Sequence, residues 1–271
     1  MSEFLELVKS RRSVRTFDGQ KPENAVVEEL KAYADSIVNP YNISVRFAFL
    51  DAEENKLSSP VLSGEKLYVS AMTGKGEHAE EAYGYAFQDL LMHAHKMGLG
   101  TVWIGGTMPR DKFESASGLS EYEIMPCISP LGKVAKKMSI KETMMRKGVK
   151  ADSRLDFEEI FFAENFDAPL IKGKAMEEGI YDALESVRLA PSAVNKQPWR
   201  VVISGKAAHF YIKHDKGFAT PDYDIQKIDL GIALFNFEQE LLEEGRKTVF
   251  EVSNPGIAVP SNVDYIATIK W

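Results

Sequence analysis

The chain has 271 residues, 44% of them hydrophobic and 27% charged, which suits a folded protein of one large or two modest domains and excludes disorder as its main state. Lys and Arg number 33 against 40 Asp and Glu, a net charge of −7, so the basic field that nucleic acid needs is missing. The one cysteine, Cys127, can form neither an intrachain disulfide nor a thiolate zinc site.

Residues 3–9 predict a short amphipathic helix with Phe4, Leu5 and Val8 on one side. The cations that follow, beginning with Lys9, suit a helix C-terminus. Val26, Val27, Leu30, Tyr33 and Ala34 recur at helical spacing and predict a helix over 23–36. The loop Asn39-Pro40-Tyr41-Asn42 leads into a strand over 45–50, and another strand is expected over 65–72. Residues 79–97 predict a helix ended by Gly98-Leu99-Gly100, and a strand over 101–104 enters Gly105-Gly106. Residues 110–117 and 140–147 are helical in pattern. From about 132 to 170 the chain is rich in Lys, then in acidic residues with Phe157, Phe161 and Phe162. Beyond it come a helix over 175–188, a loop over 190–199, strands over 200–204 and 208–213, a long helix over 226–244 and a closing strand over 263–270. No signal peptide is recognisable and no apolar run has the length of a membrane span, so a soluble cytoplasmic protein without a membrane partner is expected.

The second stretch repeats the first at a constant offset. Gly84 pairs with Gly231, Ala86 with Ala233, Asp89 with Asn236, Gly98 with Gly245, Thr101 with Thr248, and Trp103 with Phe250. Upstream, helix 23–36 and strand 45–50 parallel helix 175–188 and strand 200–204. The period is too long for a solenoid. It predicts two copies of one α+β unit fused head to tail, residues 1–163 and 164–271, acting as a monomeric intrachain pseudo-dimer.

Common catalytic motifs are missing: no phosphate loop, no H-E-x-x-H, no dinucleotide fingerprint and no G-x-S-x-G elbow. His93 and His95 point to different helix faces, and no metal site is expected. Cys127, in a strand-like run, reads as a core residue. Three clusters remain. Ser10-Arg11-Arg12-Ser13-Val14-Arg15 can grip a phosphate through planar guanidiniums or serve as a solvated basic turn. In Ala190-Pro191-Ser192-Ala193-Val194-Asn195-Lys196-Gln197-Pro198-Trp199, small residues admit a ligand to the backbone, and Asn195 and Gln197 suit a heteroaromatic edge. Trp199 itself reads as core. The paired glycines Gly105-Gly106 can present backbone N–H groups or form an ordinary turn.

Together these residues resemble the FMN-dependent nitroreductase family, through S-R-R-S-x-R-x-F at 10–17, G-L-G-T-x-W-I-G-G at 98–106, the stretch Arg154 to Ile160, and A-P-S-x-x-N-x-Q-P-W at 190–199. The chain looks most like the subgroup with two family-like halves in one polypeptide. The resemblance implies a nitroreductase-like α+β fold. It also implies an oxidoreductase that passes two electrons from NAD(P)H through FMN to a small-molecule acceptor such as a nitroaromatic or quinone. Arg11, Arg12, Ser13 and Arg15 would then meet the FMN phosphate, ribityl chain and pyrimidine edge, with Lys150 and Arg154 completing the phosphate grip. Pro191, Ser192, Ala193 and Asn195 would line the ring, and the backbone of Gly105 and Gly106 would face its N5. No side-chain acid or base is required.

The first half keeps the Arg-rich start but has Asn39-Pro40-Tyr41-Asn42-Ile43-Ser44 where the Pro-Ser-Asn loop would be; the second keeps the loop and lacks the arginines. In the family one site draws on both parts, so the resemblance implies one FMN per chain, held between the repeats, and a second, degenerate site. Three rival readings stay open: a flavin-binding protein for storage, sensing or flavin metabolism with little turnover, an interaction module that has lost flavin, and an ordinary two-site homodimer.

Overall fold

The computed structural model describes residues 2–271. Two compact units are distinguished, Arg11–Ala151 and a unit made of residues 2–10 with Asp152–Trp271. Their limits differ from a division at 163/164 because the first helix and the stretch 152–163, whose last residues pair with Val201–Ile203, group with the later residues. That helix, α1 (Glu3–Ser10), buries Phe4, Leu5 and Val8, as its spacing predicts.

The unit 11–151 contains α2 (Asn24–Ser36), β1 (Val45–Asp51), β2 (Leu67–Gly74), α3 (Ala79–Lys96), α4 (Arg110–Ser117), β3 (Glu123–Ile124), β4 (Ile128–Leu131) and α5 (Ile140–Gly148). β2 lies at the centre of an antiparallel sheet, flanked by β1 with Val45 opposite Thr73, and by β3 and β4. Seven of the eight residues of β2 are buried, so both of its faces are covered. Phe17, Leu50, Leu57, Tyr68, Phe113 and Ile128 are among the residues of the core beside it. Where a strand is predicted over 101–104 the structure has isolated bridges instead, Gly100 to Gly132, Thr101 to Ser13 and Ile104 to Ile128. The segment is extended, but its partners meet it one residue at a time.

The other unit adds α6 (Phe157–Ile160), β5 (Phe161–Ala163), α7 (Lys172–Glu177), α8 (Tyr181–Leu189), β6 (Trp199–Ser204), β7 (Ala207–Lys213), α9 (Ile225–Glu243), β8 (Val249–Glu251) and β9 (Val263–Lys270). Its sheet runs β5-β6-β7-β9-β8, with β5 parallel to β6 and the other pairs antiparallel. α1 rests on α8 and α9, with the Phe4 and Phe235 rings edge to face at 6.0 Å. The single helix expected over 175–188 is two helices. Gly179, at φ +67°, takes the left-handed conformation that ends α7, and the Ile180 amide closes the turn on the Ala175 carbonyl at 2.9 Å.

The repeat is visible in the units themselves. In each, a helix leads to a strand, a hairpin partner and a long buried helix, α3 or α9, and the central strand pairs on both sides. The two long helices end alike. Gly98 donates to His95 O at 2.8 Å and Leu99 to Ala94 O at 3.0 Å; Gly245 donates to Leu242 O at 2.9 Å and Arg246 to Leu241 O at 3.0 Å. Both glycines sit at positive φ, which a side chain would strain. The matched Asp89 and Asn236 both bond the preceding helix: Asp89 Oδ1 accepts from Tyr33 at 2.6 Å, and Asn236 Nδ2 donates to Ser186 O at 2.9 Å. Cys127 is buried, and its amide and carbonyl are both bonded to the Tyr83 hydroxyl. No helix among the described residues is long and apolar enough to cross a membrane.

Candidate functional site

The Arg-rich segment leaves α1 in extended form and lies beside the glycine-flanked segment. Val14 N donates to Thr101 O at 2.9 Å, and Gly100 lets the two backbones approach, since a Cβ there would stand 2.9 Å from the Val14 side chain. Ser13 forms the bridge to Thr101, so two of the three sequence clusters meet within one unit.

A carboxylate unremarked in the sequence organises this segment. Glu142, 0% exposed on α5, accepts from Arg12 Nη1 at 2.5 Å, Thr16 Oγ1 at 2.7 Å and the Arg15 amide at 3.1 Å. Ser139 caps α5, accepting from the Glu142 amide at 3.1 Å, while Thr16 Oγ1 accepts from the Ser139 amide at 3.0 Å. Ser139-x-x-Glu142 thus reads as a capping box whose glutamate is diverted from its own helix to the arginines. That S-x-x-E spacing was the available signal. Arg15 differs from Arg12: its Nε and Nη1 are buried and have no hydrogen-bond partner among the described residues. Burial lowers its pKa below the usual guanidinium value, Glu142 opposes that shift and Arg146 adds to it. Arg11 is half-buried in the same segment, and Lys150 follows α5 with φ +48°.

Arg110 braces the glycine turn. It donates to the carbonyls of Met125 at 2.8 Å and of Gly105 and Pro126 at 3.2 Å each. Gly105 is half-buried; Gly106 is exposed with open space where a Cβ would stand. Trp103 is a half-buried packing residue, edge to face with Phe87 at 4.7 Å.

The Pro191–Asn195 loop belongs to the other unit. Its turn uses positive φ at Val194, Asn195 and Gln197, of 49°, 58° and 53°. A β-branched residue there is strained, and the loop is held by several ties. Gln197 N donates to Ser192 Oγ at 2.8 Å, and Gln197 Oε1 accepts from Leu155 N at 3.0 Å. Asn195 Nδ2 donates to Ser153 O at 3.0 Å and Arg154 Nη2 to Leu189 O at 3.2 Å, so Arg154 stands with Asn195 rather than in the unit that carries Lys150. The Ala193 amide donates to both oxygens of buried Asp229, at 3.0 and 3.1 Å. Burial pushes the Asp229 carboxyl up, the Ala193 amide opposes it, and Asp224 adds to the rise. Trp199 is fully buried, as expected of a core residue. Pro191 and Ser192 are half-buried at the loop's start. Sequence reasoning missed Glu142, Arg110 and Asp229, all of which act on the clusters from elsewhere in the chain.

The family model described as "Putative TM nitroreductase" matches residues 3–240. A solved structure similar to this chain is a putative nitroreductase from Thermotoga maritima, 19% identical, covering 100% of this chain and 94% of its own at a TM-score of 0.62. At that identity the likeness establishes a shared fold. An FMN-dependent nitroreductase from Clostridium difficile matches at 18% identity and a TM-score of 0.41, covering 52% of this chain and 94% of its own. An iodotyrosine deiodinase bound to FMN and 3-iodo-L-tyrosine matches at 18% identity and a TM-score of 0.41, covering 50% of this chain and 92% of its own. No curated protein matches the chain.

Proposed function

This chain belongs to the Putative TM nitroreductase family, and from that premise we propose that it is an FMN-dependent oxidoreductase, passing two electrons from NAD(P)H to a nitroaromatic, a quinone or a similar small acceptor. The observation that carries the cofactor assignment is Arg15. Two donors of its guanidinium are buried without a partner among the described residues, and an anion such as the FMN phosphate would satisfy them.

When bound, FMN supplies the electron and hydride chemistry. The chain's own residues bind and orient. Arg11, Arg12, Ser13 and Arg15 would hold the phosphate and the polar edge, with Lys150 and Arg154 adding positive charge. Glu142 fixes Arg12 and the Arg15 backbone, so these donors need little reorganisation on binding. Pro191, Ser192, Ala193 and Asn195 would line the ring, and Asp229 holds the Ala193 amide in place. Backbone N–H groups at Gly105 and Gly106 would favour negative charge developing on the ring. The residues assigned come from both halves of the sequence, which supports one FMN per chain and a monomeric pseudo-dimer.

Visible absorbance of the purified protein, with cofactor mass, chain concentration and solution mass, tests the reading. One FMN per monomeric chain, reduced rapidly under anaerobic conditions by NADH or NADPH, is expected. A colourless protein that takes up no FMN from excess would refute it. So would full FMN retention by the double variant Arg11→Ala, Asn195→Ala.

A further inference from the structure

Asp182 on α8 and Glu240 and Glu244 on α9 bring three carboxylates together, with one oxygen of each within 4.8 Å of the others. The four-residue step from Glu240 to Glu244 puts both on one face of α9. Glu240 is 0% exposed, and neither of its oxygens is in hydrogen-bond geometry with a partner among the described residues. The Ser2 hydroxyl is near enough to favour the ionised form, yet burial outweighs it and raises the pKa, with Glu244 and Asp182 adding to the rise. The Ser2 oxygen accepts from the Leu5 amide at 2.9 Å.

A buried carboxylate without a partner is costly, and two more carboxylates beside it add to the cost unless a cation joins them. The neighbouring side-chain cations have other partners or reach another part of the cluster. Lys9 pairs with Glu6 at 3.2 Å, and Arg246 meets the exposed member, Glu244, at 2.9 Å. Arg246 also donates to the Gly179 carbonyl. A groove of about 420 Å³, bordered by Asp182, Glu244, Tyr181 and Lys9, reaches two of the three carboxylates.

We propose that Asp182, Glu240 and Glu244 bind a hard divalent cation, calcium foremost. Donors that are all oxygen select hard cations. Calcium–oxygen distances of about 2.3–2.6 Å let one ion bridge oxygens that lie within 4.8 Å of one another, and calcium accepts irregular all-oxygen surroundings more readily than magnesium. In the repeat, the positions matching Glu240 and Glu244 are His93 and Met97, so the cluster belongs to the second half alone. None of these residues is among those assigned to FMN, and the site stands or falls without that assignment.

The test is calorimetric titration of the EDTA-treated full chain with CaCl2, MgCl2 and MnCl2, paired with thermal unfolding. Saturable binding of one calcium per chain and a rise in the unfolding midpoint are expected. Glu240→Gln and the half-buried Asp182→Asn, each checked for folding by circular dichroism, should weaken binding at least about tenfold. Either variant alone suffices should the other fail to fold. No saturable response up to about 10 mM calcium, beyond the weakest calcium sites, would overturn the proposal. So would a response reproduced by NaCl at equal ionic strength, or wild-type binding in the folded variants.

Discussion

Replacing Arg15 by Met should make the cofactor-free protein more stable and, at the same time, unable to hold FMN. Methionine keeps the length and flexibility of the aliphatic stem and removes the buried donors. Two of those donors, Nε and Nη1, have no partner among the described residues, and an unsatisfied buried donor costs about 1–3 kcal/mol. The charge lost with them was favoured by Glu142 and opposed by Arg146, so these neighbours offset each other in part. The Arg15 amide keeps its bond to Glu142 at 3.1 Å in the variant. The net expectation is a gain of about 1–3 kcal/mol, read as a higher urea midpoint at unchanged slope. Added FMN should stabilise the wild type by about 2.7 kcal/mol at a hundredfold excess over its dissociation constant, and the variant not at all. A lower midpoint for the cofactor-free variant would refute the reasoning, because it would show that the guanidinium is already satisfied by the protein. FMN-dependent stabilisation of the variant equal to that of the wild type would refute the assignment of Arg15 to the cofactor.

Asp89→Asn, which copies the matched Asn236, should stabilise the protein at pH 7 by about 1–3 kcal/mol. Burial raises the Asp89 pKa from 3.8 to about 6, against the opposing effect of its bond from Tyr33, so the folded state binds more protons and stability falls as pH rises from about 4 to about 6; the variant should lose that slope in pH-dependent urea titrations. Gly64→Ala should cost at least about 2 kcal/mol and weaken FMN binding, as measured by urea midpoint and flavin titration. Gly64 sits at φ +82°, a Cβ would stand 2.4 Å from the Phe17 carbonyl oxygen, and the neighbouring Ser63 amide bonds Arg15 O. Glu142→Gln should cost about 2–4 kcal/mol, because its amide sets a donor against Arg12 Nη1 where a buried carboxylate accepted; a midpoint within about 0.5 kcal/mol of wild type would sink this account. Glu123, held down to about pKa 2 chiefly by its hydrogen bond from Arg46, should contribute stability that is lost only as pH falls from about 4.5 to about 2, and Glu123→Gln should flatten that acid limb of the unfolding curve.

The elements legible in the sequence were those whose period and punctuation agree. The helix over 79–97 was bounded by glycine, and Gly98 does take the left-handed cap that ends α3. Between 175 and 188 the apolar spacing continues across Gly179, so periodicity alone joins two helices that the backbone conformation of one glycine separates. The strand over 101–104 was legible as extended chain, but whether partners form a ladder or single bridges depends on segments far away in sequence. The same distance hid the supports of the candidate site. Glu142 reaches an arginine segment 127 residues earlier, and Asp229 holds an amide 36 residues before it. Residue type and local spacing reveal the groups offered to a ligand; the groups that hold those in place are chosen by the fold.

The chain begins one compact unit with α1, leaves it to build all of the other, and returns at Asp152 to finish. On a ribosome this order has a consequence. The unit 11–151 has its whole sequence available first and can close its core while the remainder is still being made. Phe4, Leu5 and Val8 must wait, because the α8 and α9 surfaces that cover them are among the last parts to emerge. For that interval the segment has nowhere to bury its apolar side chains and is too short to hold a helix by itself, and Glu3, Glu6 and Lys9 favour its solvation.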